Sequence, residues 1–235
     1  MRFQKIRLVS VIAATLLLAG VAASAAQEVV SIGGSRALLL RPANPQASAI
    51  LMPGGDGGMS FGADGTVRSL QRNQLVRTRE AYRAAGLAVL VVDADVDLSA
   101  AVKYMADIKR PVSVIATSRG TLRAAQGIAR GARPDALVLT SGFLSNESGS
   151  SENVMNILHS PRLLPPTLVI HHRRDGCRFT RPAGVDPFIR WSAGKARVVW
   201  LDGGADNGKP CRAQSHHGFK GLDGKVVAIA SRFRK

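Results

Sequence analysis

Cysteine is scarce: Cys177 and Cys211 are the two in 235 residues, too few for a disulfide-built scaffold. Acidic residues are also short, with 16 Asp plus Glu against 32 Lys plus Arg and a formal charge of +16. Such an excess raises nucleic acid or an anionic surface as a partner. The basic residues never gather, however. They occur as pairs such as Lys109-Arg110 and Arg173-Arg174 and never as a run of five. Of the 32, 24 are Arg and 8 are Lys, beside abundant Ala and Gly. That is the composition of a GC-rich coding sequence, and the scatter argues against a nucleic-acid footprint. The 24 Gly and 11 Pro follow no collagen-like period. Long apolar runs are missing too, with one exception at the amino end.

That exception is residues 1–26, MRFQKIRLVSVIAATLLLAGVAASAA. Arg2, Lys5 and Arg7 precede an apolar stretch from Leu8 to Val21, and Ala23 to Ala26 supply small residues for cleavage. The pattern reads as a signal peptide, with an uncleaved inner-membrane anchor as the alternative, and the run is shorter than a comfortable membrane span. Its removal takes 26 residues and three positive charges, leaving 209 residues at +13. Export to the periplasm or beyond is the expectation, and with it an oxidising compartment.

What is present in quantity is hydrophobic residues, 46% of the chain, enough to exclude disorder and to fill one sizeable core. Residues 27–235 read as a single domain. Apolar runs alternate with helical patterns, as in an α/β sheet with crossover helices. Strands are expected at Ala49–Met52, Leu87–Val92, Val112–Ala116, Ala136–Thr140, Thr167–Ile170 and Arg197–Leu201. Helices are expected at Asn73–Ala85, Leu98–Lys109, Thr121–Ala129 and Leu222–Phe233. Gln27–Gln46 reads as a leader with an edge strand at Ala37–Leu40. Ser141–Ser151, rich in Ser, Gly and Asn, reads as a surface loop.

The chemistry concentrates in Ala116-Thr117-Ser118-Arg119-Gly120, between an expected strand and an expected helix. That is the context of a nucleophile elbow, whose pattern is Gly-x-Ser-x-Gly. Ala116 stands where the first glycine is usual. A nucleophilic serine needs a base, and the base an orienting acid. Asp175 follows the strand at Thr167–Ile170, and His217 follows the last strand. The order Ser, Asp, His is that of an α/β-hydrolase site. Pro53-Gly54-Gly55-Asp56-Gly57-Gly58 closes an early strand and suits an oxyanion loop, with Gly55 or Asp56 donating beside the Arg119 N–H. It lacks the ending of a P-loop and the spacing of a dinucleotide fingerprint.

Five stretches in order resemble secreted bacterial serine α/β-hydrolases of the dienelactone-hydrolase-like kind. They are Pro53–Gly57, Asn73–Arg79, Thr117–Thr121, His171–Cys177 and Cys211–Phe219. The resemblance runs from about Ala49 to the end of the chain. It implies an α/β-hydrolase fold with a mostly parallel sheet, helices on both faces and a minimal cap. It also implies a Ser118, Asp175, His217 triad acting on an ester or related acyl bond of a small molecule, without a cofactor. The His-Gly-Phe pattern favours His217 over His216 as the base. Two departures stand out: Ala116, and a stretch from Asp93 to Pro111 shorter than in relatives. Dienelactone hydrolases proper carry cysteine where Ser118 stands. A non-catalytic periplasmic binding protein on the same fold, recognising an anionic ligand or an envelope component, is the alternative.

Several residues have plainer readings. His171 and His172 show no zinc spacing and are expected to hydrogen-bond nearby loops. Asp97 is expected to cap the helix after Asp93 and Asp95, with a cation held by these three acids as the lesser reading; Arg77 and Arg79 are expected on a solvated face, with one of them anchoring an acidic loop or a substrate carboxylate as the alternative. Ser141 is a second serine at a strand end without an elbow. Cys177 and Cys211 flank Asp175 and His217, so a disulfide between them would tie the acid loop to the base loop.

Overall fold

The structure is a computed structural model, and it describes residue 1 and residues 27–234. The expected signal segment therefore lies outside the described residues. In chain order the elements are β1 (Gln27–Ile32), β2 (Ser35–Leu40), β3 (Ala47–Met52), α1 (Gln74–Arg77), α2 (Arg79–Ala84), β4 (Leu87–Val92), α3 (Leu98–Ile108) and β5 (Val112–Thr117). They continue as α4 (Gly120–Ala129), β6 (Ala136–Thr140), α5 (Val154–Leu158), β7 (Thr167–His172), α6 (Val185–Trp191), β8 (Ala196–Leu201) and α7 (Asp223–Arg232).

The eight strands form one sheet in the order β1-β2-β4-β3-β5-β6-β7-β8. Strands β3 to β8 run parallel; β2 runs antiparallel to β4, and β1 in turn runs antiparallel to β2 at the edge. All residues of β3 to β7 are buried, as continuous Val, Ile, Leu and Ala runs covered on both faces require. Helices α3 to α6 pack their apolar stripes on one face. Helices α1, α2 and α7 cover the other.

The chain leaves β3 toward one side of the sheet, then crosses back so that β5 lies on the other side. The loops after β3 and β5 therefore part, and a crevice opens at the carboxyl ends of these two strands. Met52 and Ala116, the register partners there, lead directly into the Pro53–Gly58 loop and into Ser118.

Three expectations need correction. Ala37–Leu40 lies within β2 but not at the edge. Gly33 and Gly34 both have positive φ, 59° and 91°, and this two-residue turn folds Gln27–Ile32 back as the true edge strand. The helix expected over Asn73–Ala85 is two short helices. At Thr78 (φ −104°, ψ 5°) the hydroxyl donates to the Gln74 carbonyl over 2.7 Å and competes with the helical ladder. Ser141–Ser151 is not a surface loop throughout. Ser141 to Ser145 are buried, because Phe143 and Leu144 enter the core while the serine hydroxyls find partners. Ser145 donates to Glu147 and the Gly184 carbonyl, and Ser148 accepts from the N–H groups of Leu144 and Ser145. Among the described residues no helix is long and apolar enough to cross a membrane.

Candidate active site

Ser118 sits at the end of β5 with φ +52°, a left-handed conformation that costs a non-glycine residue about 1–3 kcal/mol. The surroundings enforce it. Its N–H donates to the Thr140 carbonyl over 3.0 Å. Its own carbonyl accepts from the Thr121 N–H at 2.9 Å and the Thr121 hydroxyl at 2.7 Å. Gly120 is required by space, since a Cβ there would collide with the Met52 carbonyl oxygen. Ala116 is fully buried, with room for its methyl where the usual pattern has glycine. The elbow thus keeps its second glycine and tolerates the change at the first.

His217 lies in a 3-10 turn (His216–Gly218) after β8, and Asp175 in the loop after β7. The three side chains form one line: His217 Nε2 is 3.0 Å from Ser118 Oγ, and His217 Nδ1 is 3.0 Å from Asp175 Oδ2. An ionised carboxylate only accepts, so Nδ1 carries the proton and Nε2 presents its lone pair to the serine. Burial pushes the Asp175 carboxyl up. The bond and charge of His217, the charge of His171 and the Cys177 N–H outweigh it and hold the group below the usual carboxylate range. The Cys177 N–H donates to Asp175 Oδ1 over 2.9 Å.

Two residues outside this line support it, and sequence reasoning missed the first of them. The fully buried Thr180 places its hydroxyl 3.0 Å from Asp175 Oδ2 and 3.0 Å from His217 Nδ1. Arg77 does not lie on the solvated face but reaches across to the loop of His217, as the alternative of an anchor for an acidic segment has it. Its guanidinium donates to the Gly218 carbonyl at 2.7 Å and grips Asp223. Ser141, the other candidate serine, is no nucleophile in this arrangement: its hydroxyl donates to the His217 carbonyl over 2.8 Å and so fixes the turn.

The neighbouring histidines follow their plainer reading. His171 donates from Nε2 to the Thr180 carbonyl at 2.9 Å, and His172 from Nε2 to the Gly203 carbonyl at 3.0 Å. Burial lowers His171 to about 4. His172 is lowered as well, chiefly by burial, and its ring stacks on His216 at 4.3 Å. His216 Nδ1 lies 3.4 Å from Asp206 Oδ2. Asp97 caps α3 by accepting from the Ser99 N–H at 2.8 Å, while Asp93 accepts from the N–H groups of Met59 and Ala94. No group of three or more His, Cys, Asp and Glu among the described residues is placed to hold a metal ion.

The cleft at Ser118 has a volume of about 60 Å³ and is walled by Gly54, Gly55, Asn73, Gln74, Ala213 and Gly218 among others. Gly54, not singled out from sequence, approaches most closely: a Cβ there would stand 2.9 Å from Ser118 Cβ. Asp56 does not line this cleft. It faces an adjoining hollow of about 200 Å³ together with the Arg119 side chain, and its carboxylate accepts from the Gly58 N–H. Among the described residues, the N–H groups of Gly55, Asp56 and Arg119 donate to no backbone carbonyl. Arg123 holds the loop from behind, donating to the carbonyls of Pro53, Gly55 and Asp56. The Cys177–Cys211 disulfide is formed, and Cys211 is part of the cleft wall. Larger hollows of about 320 and 420 Å³ lie at the amino ends of β7 and β8 and between α3 and α4, away from Ser118.

No protein-family model matches the chain, and no curated protein matches it. Solved structures do. The esterase domain of a Rhodothermus marinus protein superposes with a TM-score of 0.61 at 15% identity, over 89% of this chain and 99% of that one. An esterase of Pyrococcus furiosus gives 0.61 at 15%, over 89% and 92%. An esterase/lipase from an uncultured bacterium gives 0.59 at 18%, over 88% and 83%. At such identities the likeness establishes the fold, which is the α/β-hydrolase fold.

Proposed function

We propose that this chain is an exported serine hydrolase, of the dienelactone-hydrolase-like kind, that cleaves esters with short acyl groups. The observation that carries the reading is the continuous contact from Ser118 through His217 to Asp175, both links at 3.0 Å. In this reading Ser118 Oγ attacks the acyl carbonyl and His217 Nε2 takes its proton. The buried Asp175 carboxylate stabilises the imidazolium that forms. The oxyanion is met by the N–H groups of Gly55 and Arg119. His217 then protonates the leaving alcohol. Water, deprotonated by the same imidazole, releases the acid. The strained backbone at Ser118 supports the reading, since such strain gathers at functional sites. Export rests on the character of residues 1–26 and on the disulfide, which suits a periplasmic or secreted protein. The line of three side chains favours turnover over the binding-only alternative.

The test uses oxidised protein lacking residues 1–26. It is expected to hydrolyse p-nitrophenyl acetate and to label with a fluorophosphonate at Ser118, and Ser118→Ala is expected to lose both properties. Folded protein that neither labels nor turns over any short ester overturns the enzyme reading. Export is tested separately, by finding the mature amino terminus near Gln27 in the periplasmic or culture fraction.

A further inference from the structure

We propose that Thr180 is a fourth member of the hydrolytic apparatus, a positioning residue that acts through Asp175 and His217. The inference rests on the serine-hydrolase reading and goes beyond it. Thr180 Oγ1 is 3.0 Å from Asp175 Oδ2 and 3.0 Å from His217 Nδ1, while those two atoms are themselves 3.0 Å apart. The three polar atoms form a closed triangle inside the protein, with Asp175 and Thr180 both buried.

The hydrogen inventory fixes the direction of each bond. The carboxylate oxygen can only accept, so the threonine hydroxyl donates its single proton to Asp175. The hydroxyl oxygen keeps its lone pairs and faces the Nδ1–H of His217. That proton is therefore shared between the carboxylate and the hydroxyl. When His217 becomes positively charged, the Nδ1–H has two acceptors in place, and neither must reorganise. Fixed dipoles of this kind are most effective where water is excluded. The triangle also defines the plane of the ring. A single carboxylate contact leaves the imidazole free to pivot about that bond, whereas two contacts on one nitrogen restrict the pivot and keep Nε2 aimed at Ser118.

Thr180 is itself held from two sides. Its N–H donates to the Cys177 carbonyl at 3.1 Å, and its carbonyl accepts from His171 Nε2 at 2.9 Å. His171 Nε2 also lies 3.6 Å from Asp175 Oδ2. His171 thus serves as the prop behind Thr180.

A double-mutant cycle with Thr180→Val and Asp175→Asn separates positioning from packing. Threonine and valine have nearly the same shape, so the substitution removes the hydroxyl. Alone, Thr180→Val is expected to lower kcat on p-nitrophenyl acetate at least tenfold with KM within twofold. Thr180→Ser is expected to recover activity to within threefold of the parent. In the Asp175→Asn background, where the imidazole has already lost its proper tautomer, the valine is expected to cost less than threefold more. An equal loss in both backgrounds, or no loss in the single variant, overturns the proposal. If the valine variant does not fold, Thr180→Ala takes its place in the cycle. A parent protein that fails to label at Ser118 refutes the hydrolase reading itself; a labelled parent with an additive cycle refutes only the role of Thr180.

Discussion

Arg77 grips Asp223 with two bonds, Nε to Oδ2 at 2.9 Å and Nη2 to Oδ1 at 2.7 Å. The same guanidinium reaches the Gly218 carbonyl, one residue beyond His217. Helix α1, which supplies Gln74 to one wall of the cleft, is thereby joined to the loop that supplies Ala213, His217 and Gly218 to the other. A planar donor fork is suited to such a bidentate role, and a lysine is not. This one side chain thus braces the two walls of the cleft against each other.

Arg77→Lys is accordingly expected to lower kcat/KM on p-nitrophenyl acetate about tenfold or more. The loss of charged hydrogen bonds is expected to cost about 2 kcal/mol of stability. Ester kinetics together with urea unfolding check both figures. An unchanged kcat/KM would show that the loop of His217 holds its place without Arg77.

The disulfide ties the two loops that carry Asp175 and His217. A closed loop with a sequence separation of 34 is worth about 4 kcal/mol in the chain-entropy model. Cys177→Ser with Cys211→Ser is expected to unfold at lower denaturant and to lose activity by a larger factor than its loss of folded protein explains. The reason is local: the Cys177 N–H positions Asp175, and Cys211 walls the cleft. Activity per folded molecule equal to the parent would limit the bond to a stabilising role.

His171 makes stability depend on pH in a defined window. Its folded pKa is about 4 against 6.5 for the free group. The unfolded chain binds the extra proton, so this contribution is complete above about pH 6.5 and is lost as the pH falls toward 4. Its size is on the order of 3 kcal/mol. Denaturant titrations between pH 7 and 4 are expected to show a steeper loss for the parent than for His171→Gln. Parallel curves would mean that His171 is not buried in its neutral form.

The cleft volume of about 60 Å³ is far below the several hundred Å³ of pockets that enclose larger ligands. In a p-nitrophenyl ester series, kcat/KM is therefore expected to fall at least tenfold from acetate to octanoate. Gln74→Ala, which removes a buried wall residue, is expected to flatten the series. A parent enzyme that favours octanoate would place the acyl chain outside this cleft.

Much of the fold was readable because parallel strands buried on both faces leave unbroken apolar runs. Leu87–Val92 and Ala136–Thr140 match their strands residue for residue. The sheet edge was harder, although Gly33-Gly34 is a recognised hairpin signal. The break at Thr78 depends on one side-chain hydroxyl, and hydrophobic periodicity carries no trace of it. Phe143 and Leu144 signalled burial within a stretch whose composition otherwise reads as loop.

The sequence by itself determined the order of the chemistry. A serine on a strand-to-helix turn, an acid after a later strand and a histidine after the last are local facts, each carried by a few adjacent residues. It also determined that a disulfide could join Cys177 to Cys211. Only the tertiary structure decided which residues serve those three. Thr180 and Arg77 look like an ordinary loop threonine and a helix-surface arginine until folding brings them against Asp175, His217 and Gly218. Their partners lie 5, 37 and 141 residues away in the chain. The contacts across 37 and 141 residues join the loop after β7 and helix α1 to the loop after β8, which meet only in the assembled sheet, and no local pattern of residues encodes them. The same holds for the Pro53–Gly58 loop. Composition pointed to Gly55 and Asp56 alike, whereas in the folded chain Gly54 and Gly55 wall the cleft at the serine and Asp56 lines the adjoining hollow with Gly55.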